Sequence, residues 1–185
     1  MRFPQARPDL ENRRRSANDP GVMLSENRAP IYKYLRYRGL ESDDANDLTS
    51  AVLERALEKL ASYDPERGAP NTWLFAIARN KLNSHWRATE RRRNLSLDAV
   101  EDQPGLDAPP EEVVVRGETR RELIAALGSL DERERDLIAL KFSALITNRE
   151  IASLAGLTES NVGVILFRAL QKLRALLSAS TGGAR

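Results

Sequence analysis

The chain has 185 residues, enough for one medium domain or two small ones. It is 41% hydrophobic, 30% charged and 5% aromatic, with Leu, Ala, Arg and Glu prominent, which is the profile of a soluble helical protein. Net charge is only +2, there is no cysteine, and His85 is the single histidine; disulfides, thiol nucleophiles, thiolate zinc sites and histidine-based metal clusters or triads are thereby excluded.

Residues 1–20 contain Pro4, Pro8, Pro20 and the run Arg13-Arg14-Arg15, with little apolar periodicity. Five arginines against two acids give residues 1–15 a net charge of +3, which fits a disordered basic arm, either grazing DNA or without function. No signal-peptide h-region is visible there, and no apolar run approaches membrane-spanning length. A cytoplasmic location without membrane insertion is expected.

A helical domain is predicted over residues 21–93. Its first helix carries Leu24, Ile31 and Leu35, with Pro30 expected to interrupt or start it and Gly39 as a C-cap. A second helix begins at Ser42, with Asp43, Asp44 and Asp47 suited to its positive end. Leu48, Val52, Leu53, Ala56, Leu57 and Leu60 are its expected core stripe. Residues 41–60 hold six acids against Arg55 and Lys59, a net charge of −4.

The turn Asp64-Pro65-Glu66-Arg67-Gly68 leads to Pro70 and Asn71, the latter a candidate N-cap. Trp73, Leu74, Ile77, Ala78, Leu82 and Trp86 then recur at helical spacing as a buried stripe, with Trp73 expected in the core. The other face carries Arg79, Asn80, Lys81, Asn83, His85 and Arg87. Six basic residues against Glu90 give residues 79–93 a net charge of +5. Such a face suits a polyanion with exposed bases, or is a solvated helix with a basic tail.

Residues 94–117 read as a flexible acidic linker, broken by Pro104, Gly105, Pro109 and Pro110. Seven acids oppose Arg116 over residues 94–118. A second helical domain is predicted over 118–178, followed by a tail at 179–185. Asp131 with Glu134, and Thr147 with Glu150, mark two capped helix starts. Gly156 supplies a turn, and Thr158 caps a last long helix with the apolar stripe Val162, Ile165, Leu166, Ala169, Leu170, Leu173 and Leu177. A short helix, a glycine turn and a longer capped helix form a helix-turn-helix pattern, for DNA or as a packing module. The recognition face would be Ser160, Asn161, Val164, Phe167, Arg168 and Gln171, with Arg168, Lys172 and Arg174 for phosphates.

The order of these motifs resembles bacterial RNA polymerase sigma factors of the sigma-70 family, in the small two-domain extracytoplasmic-function class. The match rests on Tyr63-Asp64-Pro65, Arg67-Gly68, Trp73-Leu74, Ile77-Ala78-Arg79-Asn80 and His85-Trp86-Arg87. In the C-terminal part it rests on Leu130-Asp131-Glu132-Arg133-Glu134-Arg135, Glu150-Ile151-Ala152, Gly156-Leu157-Thr158-Glu159 and Phe167-Arg168-Ala169, and it spans about residues 25 to 178. The resemblance implies an all-α fold of two small helical domains, one melting the promoter and one a helix-turn-helix.

It further implies downstream-element contacts by Arg67, Asn71, Arg79, Asn80, Lys81, Asn83 and Arg87, and upstream-element contacts by the recognition face with Lys172. The second helix, through Asp44, Asp47, Leu48, Glu54 and Arg55, would meet core RNA polymerase. Two positions depart from the family pattern: Ser50-Ala51 stands for its usual Gln-Glu, and Gly163-Val164 for a basic residue followed by Ser. Val164 and Phe167 can meet thymine methyls but cannot hydrogen-bond base edges. No cofactor and no enzymatic activity are implied; the partners would be core polymerase, promoter DNA and an inhibitory anti-sigma protein. Two other readings are a stand-alone helix-turn-helix regulator or degenerate sigma relative that binds DNA without polymerase, and a hydrolase or nuclease with a metal bound by Asp43, Asp44 and Asp47.

Overall fold

A computed structural model describes residues 20–66, 68–95 and 121–182. Most of the basic arm and of the acidic linker, together with Arg67 and residues 183–185, lies outside the described residues. Among the described residues all regular structure is helical: α1 Pro20–Tyr37, α2 Ser42–Lys59 with a 3-10 turn at Leu60–Ser62, and α3 Pro70–Leu95. Beyond the linker come α4 (residues 121–128), α5 Glu132–Ser143, α6 Asn148–Ala155 and α7 Glu159–Gly182.

Helix α1 runs through Pro30 rather than breaking there. Proline in a helix interior costs about 3 kcal/mol. Ile31, Tyr34 and Leu35 just beyond it are completely buried, and each such side chain contributes about 1.5–3 kcal/mol. Burial therefore outweighs the proline. The helix stops at Gly39, whose φ of 101° lies in the region that favours glycine, while Leu40 N–H reaches back to the Leu35 carbonyl at 3.2 Å.

Helix α2 packs through its smaller side chains. Ala45, Thr49, Val52 and Ala56 are buried, and the Thr49 hydroxyl donates to the Ala45 carbonyl at 2.6 Å. Leu57, expected in the core, is instead 56% exposed, because the small face lets α2 sit close to its neighbours with Leu57 rotated one step outside. Leu48, Leu53 and Leu60 are partly buried at the margins.

Helix α3 starts at Pro70, one residue before the expected cap, so Asn71 lies inside the first turn. Proline suits that position because its missing N–H has no helical partner there anyway. The buried arc of α3 comprises Leu74, Phe75, Ile77, Ala78 and Leu82. Trp73 is only partly buried and rests against the Tyr63 ring at 5.2 Å.

The C-terminal helices follow their local chemistry. Asp131 and Glu134 form a reciprocal capping box on α5, as do Thr147 and Glu150 on α6. Thr158 Oγ1 accepts from Asn161 N–H at 3.3 Å, as expected of a cap on α7. Val162, Leu166, Ala169 and Leu173 are the buried stripe of α7, whereas Leu170 is 44% exposed. The seven-residue stripe read from the sequence was too wide: α7 meets α5 and α6 on one side only. Helix α1 packs against both α2 and α5, so the buried residues of the two helical groups join in one cluster.

Two left-handed residues bracket the α6 region. Gly156 has φ 67° with open space where a Cβ would sit, and Leu145 has φ 53° with 85% of its surface exposed. A side chain in this conformation costs roughly 1–2 kcal/mol. Gly156→Ala is expected to destabilise the protein by about that amount. Leu145→Gly should stabilise it by up to about 1 kcal/mol, since glycine's greater unfolded-state entropy offsets part of the relief. Urea denaturation of both variants checks this; shifts of the same sign would count against it.

Candidate nucleic-acid interface

Helices α6 and α7 turn through 101° about the left-handed Gly156, and Leu157 N–H bonds the Ala152 carbonyl at 2.9 Å to close the corner. That angle falls within the roughly 90–120° range of helix-turn-helix units. Ser160, Asn161, Val164, Phe167, Arg168, Gln171 and Lys172 are all exposed on α7. Phe167 is 64% exposed and Val164 45%, an apolar strip in the middle of the face. Lys172 is drawn aside: its Nζ lies 2.6 Å from Oε1 of the largely buried Glu134. Glu134 thereby caps α5 and anchors α7 together, a double role that its place in the capping box does not announce.

The second surface is α3 with the loop before it. Asp64 Oδ1 accepts from Glu66 N–H at 2.9 Å, and the Tyr63 hydroxyl donates to the Gly68 carbonyl at 3.1 Å, so the loop folds back on the helix. Asn80 and Arg87 are exposed; Asn71, Lys81 and Asn83 are partly so. Arg87 Nε donates to the Asn83 carbonyl at 3.1 Å, which lays its guanidinium along the helix. Arg79 points elsewhere. Its Nε meets Asp136 Oδ2 at 2.8 Å and its Nη1 donates to the Leu154 carbonyl at 2.8 Å, both in the C-terminal helices. Arg79 is thus separated from the other expected downstream contacts, and Arg67 lies outside the described residues.

Asp136 was missed by sequence reasoning. It is buried on α5, where Leu137, Ile138, Ala139 and Leu140 beside it are buried too. Four consecutive buried residues mean a helix surrounded on all sides, and that apolar run was the available signal. Asp136 Oδ1 also accepts from Arg38 Nη1 at 2.7 Å and from the Tyr34 hydroxyl at 2.9 Å. Burial first, and the neighbouring Asp136 charge second, push the Tyr34 hydroxyl pKa well above its ordinary value.

Residues 23–92 match the family model described as Sigma-70 region 2, and residues 126–175 that described as Sigma-70, region 4. The chain is 31% identical over 163 residues to the ECF RNA polymerase sigma factor SigF of Caulobacter vibrioides, covering 88% of this chain and 86% of SigF. This chain belongs to the ECF RNA polymerase sigma factors. Another relative, the ECF sigma factor BldN of Streptomyces coelicolor, is 26% identical over 147 residues; the match covers 80% of this chain and 56% of BldN. CnrH, solved in complex with the cytosolic domain of CnrY, shares the fold: its TM-score is 0.64 at 24% identity, over 90% of this chain and 94% of that one.

In this sigma factor the remaining expected surface, on α2, is solvated. Asp44, Asp47, Glu54 and Arg55 are exposed and Leu48 is partly buried, with Arg55 Nη1 paired to Glu58 at 2.6 Å. Among the described residues of the sigma factor, no single helix is long and apolar enough to cross a membrane.

The sigma factor's two matched regions also meet at Glu150, where Oε1 accepts from the Thr72 hydroxyl at 2.7 Å. Burial would raise the Glu150 carboxyl, but hydrogen bonds from Thr147 and Thr72 outweigh it and hold its pKa below the ordinary 4.5. A lowered folded-state pKa means a stabilisation present above the ordinary carboxylate value and lost as pH falls through the folded one. Glu150→Gln is therefore expected to flatten the acid side of the Tm–pH profile below about pH 4.5. Parallel profiles for the two proteins would remove this role.

Proposed function

We propose that the chain binds core RNA polymerase, directs it to promoters and assists their melting to initiate transcription. The observation that carries this is the pairing, in one chain, of a region 2 match and a region 4 match whose α7 presents an uncovered helix-turn-helix face. The proposed division is a helical domain at 21–93, a linker at 94–117 and a helix-turn-helix domain at 118–178.

Ser160, Asn161, Arg168 and Gln171 would read the upstream element in the major groove, while Val164 and Phe167 meet thymine methyls. Lys172 would contact phosphate once released from Glu134. On α3, Asn71, Asn80, Lys81, Asn83 and Arg87 would hold the melted downstream strand together with Arg67 and Arg79. The exposed acids of α2, Asp44, Asp47 and Glu54, with Leu48 and Arg55, would face core polymerase. Melting is driven by binding energy, and the polymerase performs the chemistry; the chain acts in the cytoplasm.

CnrH was solved with the cytosolic domain of CnrY, and the RpoE of a further structure with the anti-sigma factor NepR from Bartonella quintana, at 21% identity and TM-score 0.64. An inhibitory protein of that kind is proposed here as a third partner. Run-off transcription with core polymerase, with and without the chain, on promoter fragments from its own genome tests the reading. New specific transcripts are expected. Duplex binding that ignores polymerase would replace it with a stand-alone regulator.

A further inference from the structure

On α7, Val164 and Phe167 lie one turn apart and are both exposed, with Gly163 next to them on the helix surface. A Cβ built on Gly163 would meet nothing within 4 Å, so none of the described residues needs the space that this glycine leaves. Glycine in a helix interior is unfavourable against alanine. Its place beside the Phe167 ring instead lets an outside partner come close to the backbone. The surroundings favour an anion. From Ser160 to Arg185 the sequence contains Arg168, Lys172, Arg174 and Arg185 and no acid. The nearest acid on α7, Glu159, is its first residue and lies 3.9 Å from Arg149.

Apolar side chains set among cations on a helix-turn-helix suit the major groove, where the C5 methyl of thymine projects. Cytosine is read there through its C4 amino group, which calls for an Asp or Glu acceptor. Val164 and Phe167 have no donor or acceptor in their side chains. They therefore cannot tell the C4 carbonyl of thymine from the C4 amine of cytosine. What they can register is the methyl at C5, through the apolar surface it buries. We propose that at the base pairs under Val164 and Phe167 the chain reads the C5 methyl itself, so that 5-methylcytosine stands in for thymine. Methylation of a cytosine at such a position then raises the occupancy of the upstream element. This rests on the reading of α7 as the upstream-element surface and adds the chemical group that is recognised.

The test uses the full chain with core polymerase on a promoter fragment that gives run-off transcripts. Thymines of the upstream element are replaced one at a time by uracil, or by cytosine or 5-methylcytosine opposite guanine. Uracil removes the methyl and keeps every hydrogen-bonding group. At the thymines that meet these side chains, uracil should weaken binding about fourfold, the share of one buried methyl. At the same positions 5-methylcytosine should bind about fourfold more tightly than cytosine. Serine resembles valine and phenylalanine in helix propensity, and both sites are exposed, so Val164→Ser and Phe167→Ser should fold as the parent does. Together they should erase both differences. Methyl groups without effect at any position overturn the proposal, as do differences that survive the double variant.

Other occupants of the face give other patterns. If it seats core polymerase, Phe167→Ser weakens polymerase binding and lowers transcription equally on every template, with the methyls immaterial. If it seats a second copy, the free chain sediments as a dimer, the variant as a monomer, and the methyls are again immaterial. Either result overturns the proposal. Should no fragment yield transcripts, the same replacements are read in gel shifts of the chain alone, on duplexes it selects from a random pool. Methyl-dependent binding there would support the proposal while removing the polymerase-directed function; binding to no duplex would overturn both.

Discussion

Phe75→Ala is expected to cost about 3–5 kcal/mol, the range for a phenylalanine cut from a packed core. Phe75 is completely buried, and its ring meets Tyr34 edge-on at 5.6 Å. Such pairs add about 0.5–1.5 kcal/mol beyond the area they bury. Tyr34 is itself fully buried and donates to Asp136, so a cavity at Phe75 also loosens the ring that delivers this hydrogen bond. Against a typical total stability of about 5–15 kcal/mol, the loss takes a large share. Urea denaturation should show a midpoint lower by about 2 M, for a slope near 2 kcal/mol per molar. A shift under about 0.5 M at that slope would mean that the site collapses around the gap.

Asn80→Ala should do the opposite: keep the fold and lose the activity. Asn80 is exposed on α3, and surface substitutions of this kind stay within about 0.5 kcal/mol. A side chain that reads a base is worth about 1–3 kcal/mol, so run-off transcription should fall roughly tenfold or more. Trp73→Ala makes the contrast. As a core residue it would cost as much as Phe75, but it sits half-covered against Tyr63. About 1–2 kcal/mol is expected for partial burial. Thermal melts and run-off assays on both variants are the check. Equal loss of stability in the two would take Asn80 off the proposed DNA face.

What was legible in the sequence was local. The reciprocal boxes at Asp131–Glu134 and Thr147–Glu150, the Thr158 cap and the left-handed Gly156 each depend on residues within a turn of one another, and the structure contains all of them. The helix-turn-helix could be assembled from those signals alone. Misreadings came where burial depends on remote partners. Helical spacing placed Trp73 in the core and passed over Phe75, although the buried arc of α3 is set by how α1, α2 and α6 surround it. Leu57 and Leu170 were counted inward because periodicity locates the middle of a stripe better than its edges.

Asp136 was the largest omission. An acid beside Arg135 in a charged segment reads as a surface residue. Its partners Tyr34, Arg38 and Arg79 are 57 or more residues away in sequence, beyond the reach of any local pattern. The same distance separated Arg79 from its expected companions: spacing places it beside Asn80 and Lys81, and only the tertiary carboxylate turns it away.

The long reach of that carboxylate also has a temporal side. Tyr34 and Asp136 are 102 residues apart, and ribosomes add roughly 5–20 residues per second. For roughly 5–20 s after Tyr34 is polymerised, the growing polypeptide therefore has no Asp136 to close upon. Until then the bonds that Asp136 gives Tyr34, Arg38 and Arg79 are missing. On a polysome, the α1–α3 portions of successive nascent chains would be held near one another with Arg38 and Arg79 still in water, available to whatever anion arrives before the chain's own.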